Sequence, residues 1–443
     1  MAWGLVKDHW GKINRSNAAI SDVIFTDIRP AGEFSKIFIQ SKTSDNRTKL
    51  IGGDTWRVYA RGPSNSSVAA TVFDHNNGTY EALLFITEPG VYQLLIYLDY
   101  SLCDGFRDPP RDWFIKGNAQ GDYHRNGILG YLDDYLIQPF KNGQPLNITI
   151  LKAQLKISLL DKLDDLDACS HNCKHLWDGF GQWDNNQWRP HLEESYNWSM
   201  PQNYTQSGTL WISGDSLGLL LARSVRSRTL CKSLYKQCKN TYMYTYIVGD
   251  KEIAKLKKDD RDFRPEKVLE TIVSVLRRPE MQEEGSAMLL NIVIHFIKNV
   301  NFTTYQSLID DLIQALKETE VNSQGQRVPK YKAKIIWKSS TAIRKENAEF
   351  LNVTARRFMT TQRVALFSAY SMSAMCKAGF DVIDVHPLTD SNPRGPYDQV
   401  HYPKEVFDML ERMLEQYKVN YNKRLDENER NGKIKRCISK EKF

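Results

Sequence analysis

The stretch TLWISGDSLGLLLARSV, residues 209–225, decides how the second half of the chain is read. TLWIS is a short apolar run of the kind found in a strand buried on both faces. Gly214-Asp215-Ser216 is turn chemistry, and apolar residues at helical spacing follow it. Strand, corner and helix together put Ser216 just past the carboxyl end of the strand.

The same alternation continues outward from this stretch. YMYTYIV precedes the helical PEKVLETIVSVLRR, AMLLNIVIHF precedes YQSLIDDLIQALKE, and AKIIW precedes a long helical stretch through RVALFSAYSMSAMCKAG. FDVIDV and PKEVFDMLERMLEQY close the series. Apolar strands separated by amphipathic helices predict a mainly parallel sheet in a three-layer α/β domain, here residues 208–421. Ligands in such folds bind outside the carboxyl ends of the strands. After Tyr421 the mixed charges of residues 422–443 read as a tail or as a solvated last helix.

The first part of the chain has a different period. In GVYQLLIYLDY, Tyr92, Leu94, Ile96 and Leu98 fall on one face, and Asn77-Gly78 sits between two apolar runs as hairpin chemistry. Several short strands with frequent turn signals predict an Ig-like β-sandwich over residues 18–160, the first domain of a multi-domain chain. Residues 161–207 read as a Cys- and Trp-rich connecting segment. Trp177, Trp183, Trp188 and Trp198 form either a sugar-stacking surface or packing between linker and domain. Cys169, His171, Cys173 and His175 alternate too tightly for one tetrahedral zinc site, so a disulfide is expected there and no metal.

Composition narrows the function. The chain has 443 residues, 41% hydrophobic and 26% charged, with no apolar run long enough to span a bilayer. Its net charge of +7 is spread among acids, which argues against nucleic acid and leaves a solvated mixed surface or a mild attraction to anionic glycans and membranes. Nine Asn-x-Ser/Thr sequons, at Asn14, Asn46, Asn65, Asn77, Asn147, Asn197, Asn203, Asn301 and Asn352, suit a secretory-pathway glycoprotein. Among the seven cysteines, Cys231 and Cys238 make a second close pair for an oxidising compartment, Cys376 reads as a small buried residue, and Cys437 reads as a free or intermolecular thiol. MAWGLVKDHWGKIN has no apolar core of signal-peptide length and no membrane anchor is visible; the expectation is a start lying upstream, the alternative a cytosolic chain with idle sequons.

A serine hydroxyl needs a base within hydrogen-bond reach, itself oriented by a third group. His401 in GPYDQVHYPKEVF lies in the loop after the last strand, on the same sheet edge as Ser216, and Asp398 three residues earlier can hold its imidazole. Asp384 and His386 in DVIDVHP are a rival pair. The candidate catalytic residues are therefore Ser216, His401 and Asp398.

Gly214-Asp215-Ser216 with Asp398-x-x-His401 resembles the signature of the SGNH (GDSL-like) hydrolases and, within them, the PC-esterase branch. GGDTWRVYARGP, DHNNGTYEALLF, PGVYQLLIYL, the Trp-rich segment before ISGDS, and MCKAGFDVIDVHPLTDSNP followed by DQVHY resemble the neurexophilin and PC-esterase domain family over roughly residues 18–420. The resemblance implies a lumenal or extracellular glycoprotein that removes or transfers acyl groups, chiefly acetyl, on an acylated or acyl-accepting glycan, without a cofactor. Ser216 is then the nucleophile, His401 the base and Asp398 its orienter. Further oxyanion donors are harder to place: Ile294 stands where the PC-esterase pattern tends to have Gly, leaving Asn291 and His295 as supporting candidates beside Gly214 and Asp215, and Ser340, Thr341 and Arg344 as third-block candidates. No coenzyme A signature is visible, so hydrolase and transferase both stand. The competing reading is an extracellular binding or signalling glycoprotein that meets a protein partner through its sandwich and keeps the second domain as scaffold.

Overall fold

The computed structural model describes residues 15–101, 135–153, 174–177, 181–190, 204–243, 263–344 and 359–431. Its first strands are β1 (Asp22–Asp27), β2 (Glu33–Gln40), β3 (Thr55–Arg61), β4 (Ser67–Ala69), β5 (Thr71–Asp74), β6 (Thr79–Ile86), β7 (Gly90–Tyr100), β8 (Tyr135–Pro139) and β9 (Leu146–Ile150). One antiparallel sheet runs β1-β2-β6-β5, and a second is built on β3 and β7 with β4, β8 and β9 at its sides. Alternation turns Ile37, Ile39, Tyr80, Ala82 and Leu84 of the first sheet against Trp56, Val58, Ala60, Tyr92, Leu94, Ile96 and Leu98 of the second. The region is an antiparallel β-sandwich. The expected hairpin joins β5 to β6, and Gly78 is obligatory there: its φ is +86°, and a Cβ would lie 1.9 Å from the Lys49 carbonyl oxygen.

The connecting segment does more than connect. β10 (Lys174–Trp177) pairs in parallel with a strand of the second domain, whereas β11 (Gly181–Asp184) and β12 (Gln187–Pro190) form a hairpin that joins the sandwich sheet at β4. Trp183 and Trp188 are buried among Leu210, Ile212 and Ile383 of the second domain, so these two rings pack a core and present no sugar-stacking surface. The side chains of Trp177 and Trp198, and the Cys169–His175 alternation, lie outside the described residues.

The second domain holds β13 (Thr209–Gly214), β14 (Gln237–Tyr242), β15 (Ala287–Leu290), a small hairpin of β16 (Thr319–Val321) and β17 (Arg327–Pro329), β18 (Lys334–Lys338) and β19 (Asp381–Ile383). The order β10-β19-β18-β15-β13-β14 is parallel throughout. Two strands differ from the reading of the sequence. The second begins before YMYTYIV, paired from Thr209↔Gln237 to Gly214↔Tyr242 and clamped at its start by a Cys231–Cys238 disulfide. Only Ala287–Leu290 of AMLLNIVIHF is strand, because beyond it the chain leaves the sheet and turns into a short helix.

The helices are α1 (Ser216–Val225), α2 (Pro265–Leu276), α3 (Phe296–Asn299), α4 (Phe302–Leu316), α5 (Thr361–Lys377), α6 (His386–Asp390) and α7 (Asp408–Asn431). Helix α7 continues past Tyr421, so the start of the segment read as a tail is helical. Trp211, Met288, Leu290, Ile335 and Trp337 face α2, α4 and α5, while Leu210, Ile212, Leu289 and Ile336 face α1 and α7. Apolar residues thus fill both faces of a parallel sheet and make three layers. Cys376 of α5 is disulfide-bonded and not a free buried thiol. Among the described residues, no helix is long and apolar enough to cross a membrane.

Candidate active site

The chain goes from β13 to β14 on one side and returns to β15 on the other, so the strand order reverses beside β13. This is the topological switch point of the sheet, where a crevice opens at the strand ends. At the end of β13, Gly214 passes close to the neighbouring chain: a Cβ there would lie 3.1 Å from the Asn291 carbonyl oxygen. Asp215 is the N-cap of α1, its Oδ1 accepting from the Leu217 N–H at 2.9 Å. Ser216 is the first helical residue, and its own N–H belongs to the opening turn, whose amides have no partner within the helix.

Ser216, His401 and Asp398 are joined in one hydrogen-bonded chain. The Ser216 Oγ is 2.7 Å from His401 Nε2, and His401 Nδ1 is 2.6 Å from Asp398 Oδ2. Asp398 Oδ1 accepts from the backbone N–H groups of Val400 at 2.7 Å and His401 at 2.8 Å. Burial works to raise the Asp398 carboxyl, but the hydrogen bonds from the His401 ring, His401 N–H and Val400 N–H outweigh it and hold the group below the usual carboxylate range. An ionised Asp398 fixes a proton on Nδ1, which leaves Nε2 to accept from the Ser216 hydroxyl. The arrangement can draw a proton off Ser216 without any rearrangement of side chains.

The other candidates fall into place around this chain with different tasks. Asn291 is buried; its N–H donates to Ser213 O at 3.1 Å and its Nδ2 to Lys338 O at 2.8 Å, so it ties together the ends of β13, β15 and β18. His295 stands at the N-cap position of α3 one loop further on, without a side-chain capping bond. Ile294 belongs to the apolar core. Ser340 and Thr341 are fully buried, and the Ser340 N–H is taken by Ser368 Oγ at 2.9 Å. Arg344 reaches the loop before His401 instead of the serine: its Nη2 donates to Asn392 O at 2.6 Å and its N–H to Gln399 O at 3.0 Å. Of the rival pair, Asp384 Oδ1 accepts from Ser339 Oγ at 2.8 Å and from the His386 N–H at 3.0 Å, a tie between the ends of β18 and β19.

Two residues of the site carry no motif in the sequence. Lys338 ends β18 fully buried; burial pushes its ammonium down to about 8 against the pull of Asp215 and Asp384. Asp215 in turn is raised by burial, with Lys338 pulling it back. In this buried corner Asp215 and Lys338 thus each draw the other toward its charged form, against the effect of burial. Tyr397, 63% exposed among large apolar side chains, lies nearly parallel to the His401 ring, with centroids 6.0 Å apart and a 20° angle, and its N–H donates to His401 O at 2.9 Å. It flanks the site with an open aromatic face. Among the described residues no cluster of three or more His, Cys, Asp or Glu side chains is arranged to hold a metal ion.

No protein-family profile matches the chain, and neither does any curated protein. Among solved structures the chain is similar to one described as "Crystal structure of the Lin-41 filamin domain", at 13% identity over 31% of this chain and 99% of that one, with a TM-score of 0.20, a likeness that carries no functional argument.

Proposed function

We propose that the protein is a serine-dependent O-acyl esterase or O-acyltransferase of the SGNH type, acting on acylated glycans and akin to the neurexophilin and PC-esterase domain family. The observation that carries the reading is the unbroken chain from Ser216 through His401 to Asp398 at the switch point of a parallel sheet. A scaffold has no physical need for these three groups in that order.

In the proposed reaction Ser216 Oγ attacks the ester carbonyl carbon while its proton passes to His401 Nε2. The resulting oxyanion faces the Ser216 N–H at the head of α1, where the helix dipole favours negative charge. Collapse breaks the bond to the sugar oxygen, which leaves with the proton from His401. Water or a second sugar hydroxyl then gives its proton to His401, attacks the acyl-enzyme and releases Ser216. Tyr397 offers a flat apolar face of the kind on which a sugar ring stacks. The Cys231–Cys238 disulfide and the exposed sequons at Asn46, Asn65, Asn77 and Asn147 support a lumenal or extracellular setting.

The second reading, a binding glycoprotein with a dormant site, is favoured by Ile294 and by the engagement of Asn291 in strand-end ties, which leave the Ser216 N–H as the one assigned oxyanion donor. Intact-mass analysis after treatment with a small fluorophosphonate decides between the two. A single adduct that maps to Ser216 and is lost in Ser216→Ala is expected. A well-folded protein that takes up no adduct refutes the enzyme.

A further inference from the structure

The loop that carries Asp398 and His401 is held from outside its own domain. Tyr59, on β3 of the sandwich, donates its hydroxyl to Asp390 Oδ1 at 3.1 Å. That hydroxyl itself accepts from Arg57 Nη1 at 3.3 Å, and Arg57 is paired with Asp99 through Nη2 to Oδ1 at 2.9 Å. The polar chain thus runs from the sandwich sheet, Asp99 to Arg57 to Tyr59, into the segment between β19 and His401. A second contact follows at once: the Ala69 N–H of β4 donates to Ser391 Oγ at 3.0 Å. The β11–β12 hairpin adds a third, from Trp183 Nε1 to Leu388 O at 2.8 Å.

Arg344 links these contacts to the triad. Its guanidinium lies 5.2 Å from the centre of the Tyr59 ring, and its Nη2 donates to Asp390 O at 3.3 Å and to Asn392 O at 2.6 Å. Its backbone N–H holds Gln399 O at 3.0 Å, between Asp398 and His401. Gly395, with φ +65°, lets the loop fold against the same side chain, since a Cβ there would come within 2.7 Å of Arg344 Cδ. Tyr59 therefore touches Asp390 and Arg344, and Arg344 touches both ends of the stretch that delivers His401 to Ser216.

We infer that the sandwich is a working part of the active site, with Tyr59 as a positioning residue that sets the Asp398–His401 loop through Asp390 and Arg344. The inference rests on the esterase reading for its catalytic meaning, but not for its mechanics. A displaced catalytic group costs rate steeply, of order a hundredfold for about 1 Å, so a loosened loop is felt at Ser216 while the fold survives. Tyr59→Phe removes one hydroxyl and keeps the ring beneath Arg344. Ser391→Ala removes the neighbouring contact on the loop side and serves as an independent variant should Tyr59→Phe fold poorly.

The test uses the whole chain and two readouts: the rate of fluorophosphonate labelling of Ser216, and amide hydrogen exchange across residues 386–402. For both variants labelling is expected to slow about tenfold or more, with faster exchange confined to that loop and to its contacts. Faster exchange with unchanged labelling reduces Tyr59 to a structural contact and overturns the positioning role. Unchanged exchange overturns the coupling altogether. Should the wild-type protein take no label, the esterase reading fails separately, and exchange alone still decides whether the sandwich holds the loop.

Discussion

Replacing Asp398 with Asn tests the orientation of the imidazole more sharply than deleting it. Asp398 Oδ1 accepts two backbone N–H groups, at 2.7 and 2.8 Å, and the amide must keep its carbonyl oxygen there. Turning it over would lose both bonds and set an NH₂ against two donors. At about 1 kcal/mol net per bond, that costs at least about 2 kcal/mol, a bias of roughly thirty to one. The amide nitrogen therefore replaces Oδ2, 2.6 Å from His401 Nδ1, and donates to it. Nδ1 must accept, the ring proton moves to Nε2, and Nε2 can no longer take the proton of Ser216. A wrong tautomer of this kind costs about 10⁴ in rate elsewhere, close to 5 kcal/mol of barrier. The loss expected here lies between thirtyfold, if only the overturned amide reacts, and about 10⁴. Pseudo-first-order labelling of Ser216 by the fluorophosphonate measures it directly, beside a thermal melt showing that the fold persists. A loss below tenfold in a folded Asp398→Asn protein would refute the assigned roles of His401 and Asp398.

His401→Ala is expected to abolish labelling of Ser216, and His386→Ala to leave its rate unchanged; peptide mapping of both variants exposes the reverse assignment if it holds. Glu411 on α7 gives a stability test away from the site. Burial raises its carboxyl to about 7 despite Arg228, whose Nη1 lies 2.8 Å from Oε2. A folded value above the unfolded one means stability present at low pH is lost as pH rises from the ordinary carboxylate range through about 7. Glu411→Gln keeps an oxygen for Arg228 and removes the charge, so its Tm should match wild type near pH 4.5 and exceed it at pH 8, the shift reflecting added stability on the order of 1 kcal/mol. An equal Tm difference at both pH values would count against the buried carboxyl as the cause.

The parts of the site that could be read from sequence are those fixed by local chemistry. Gly214, Asp215 and Ser216 form a corner because a strand covered on both faces must end and a helix must be capped, and both demands are written in adjacent residues. Asp398 can reach His401 because the two share one turn. The supporting residues answer to the opposite strand ends instead. Asn291 had to be weighed as an oxyanion donor, since only the path of β18 shows that its amide is taken by Lys338 O. Lys338 reads as a solvated strand end until burial beside Asp215 and Asp384 is seen. β10 was invisible for the same reason: Lys174 pairs with Asp381, far along the chain, and nothing local demands a strand there.

β3 shows why the joining of the two domains could not be read from the sequence. TWRVYAR alternates, with Trp56, Val58 and Ala60 turned to the sandwich core and Thr55, Arg57 and Tyr59 to the other side, the usual pattern of a strand with one wet face. In the folded chain that second face is buried too. Thr55 Oγ1 meets Gln362 Oε1 at 3.2 Å, Tyr59 meets Asp390, and Arg57 is closed in by Asp99. A buried guanidinium or phenol is costly unless its hydrogen bonds are met, and two of these three partners come from residues more than 300 positions away. Polar residues on an alternating strand therefore carry two meanings, water or a partner domain, and local pattern does not separate them. On β3 the partner is the domain that holds Ser216. Tyr59 lies against the segment that leads to Asp398 and His401, so the polarity of this strand belongs with the candidate site as much as with the sandwich.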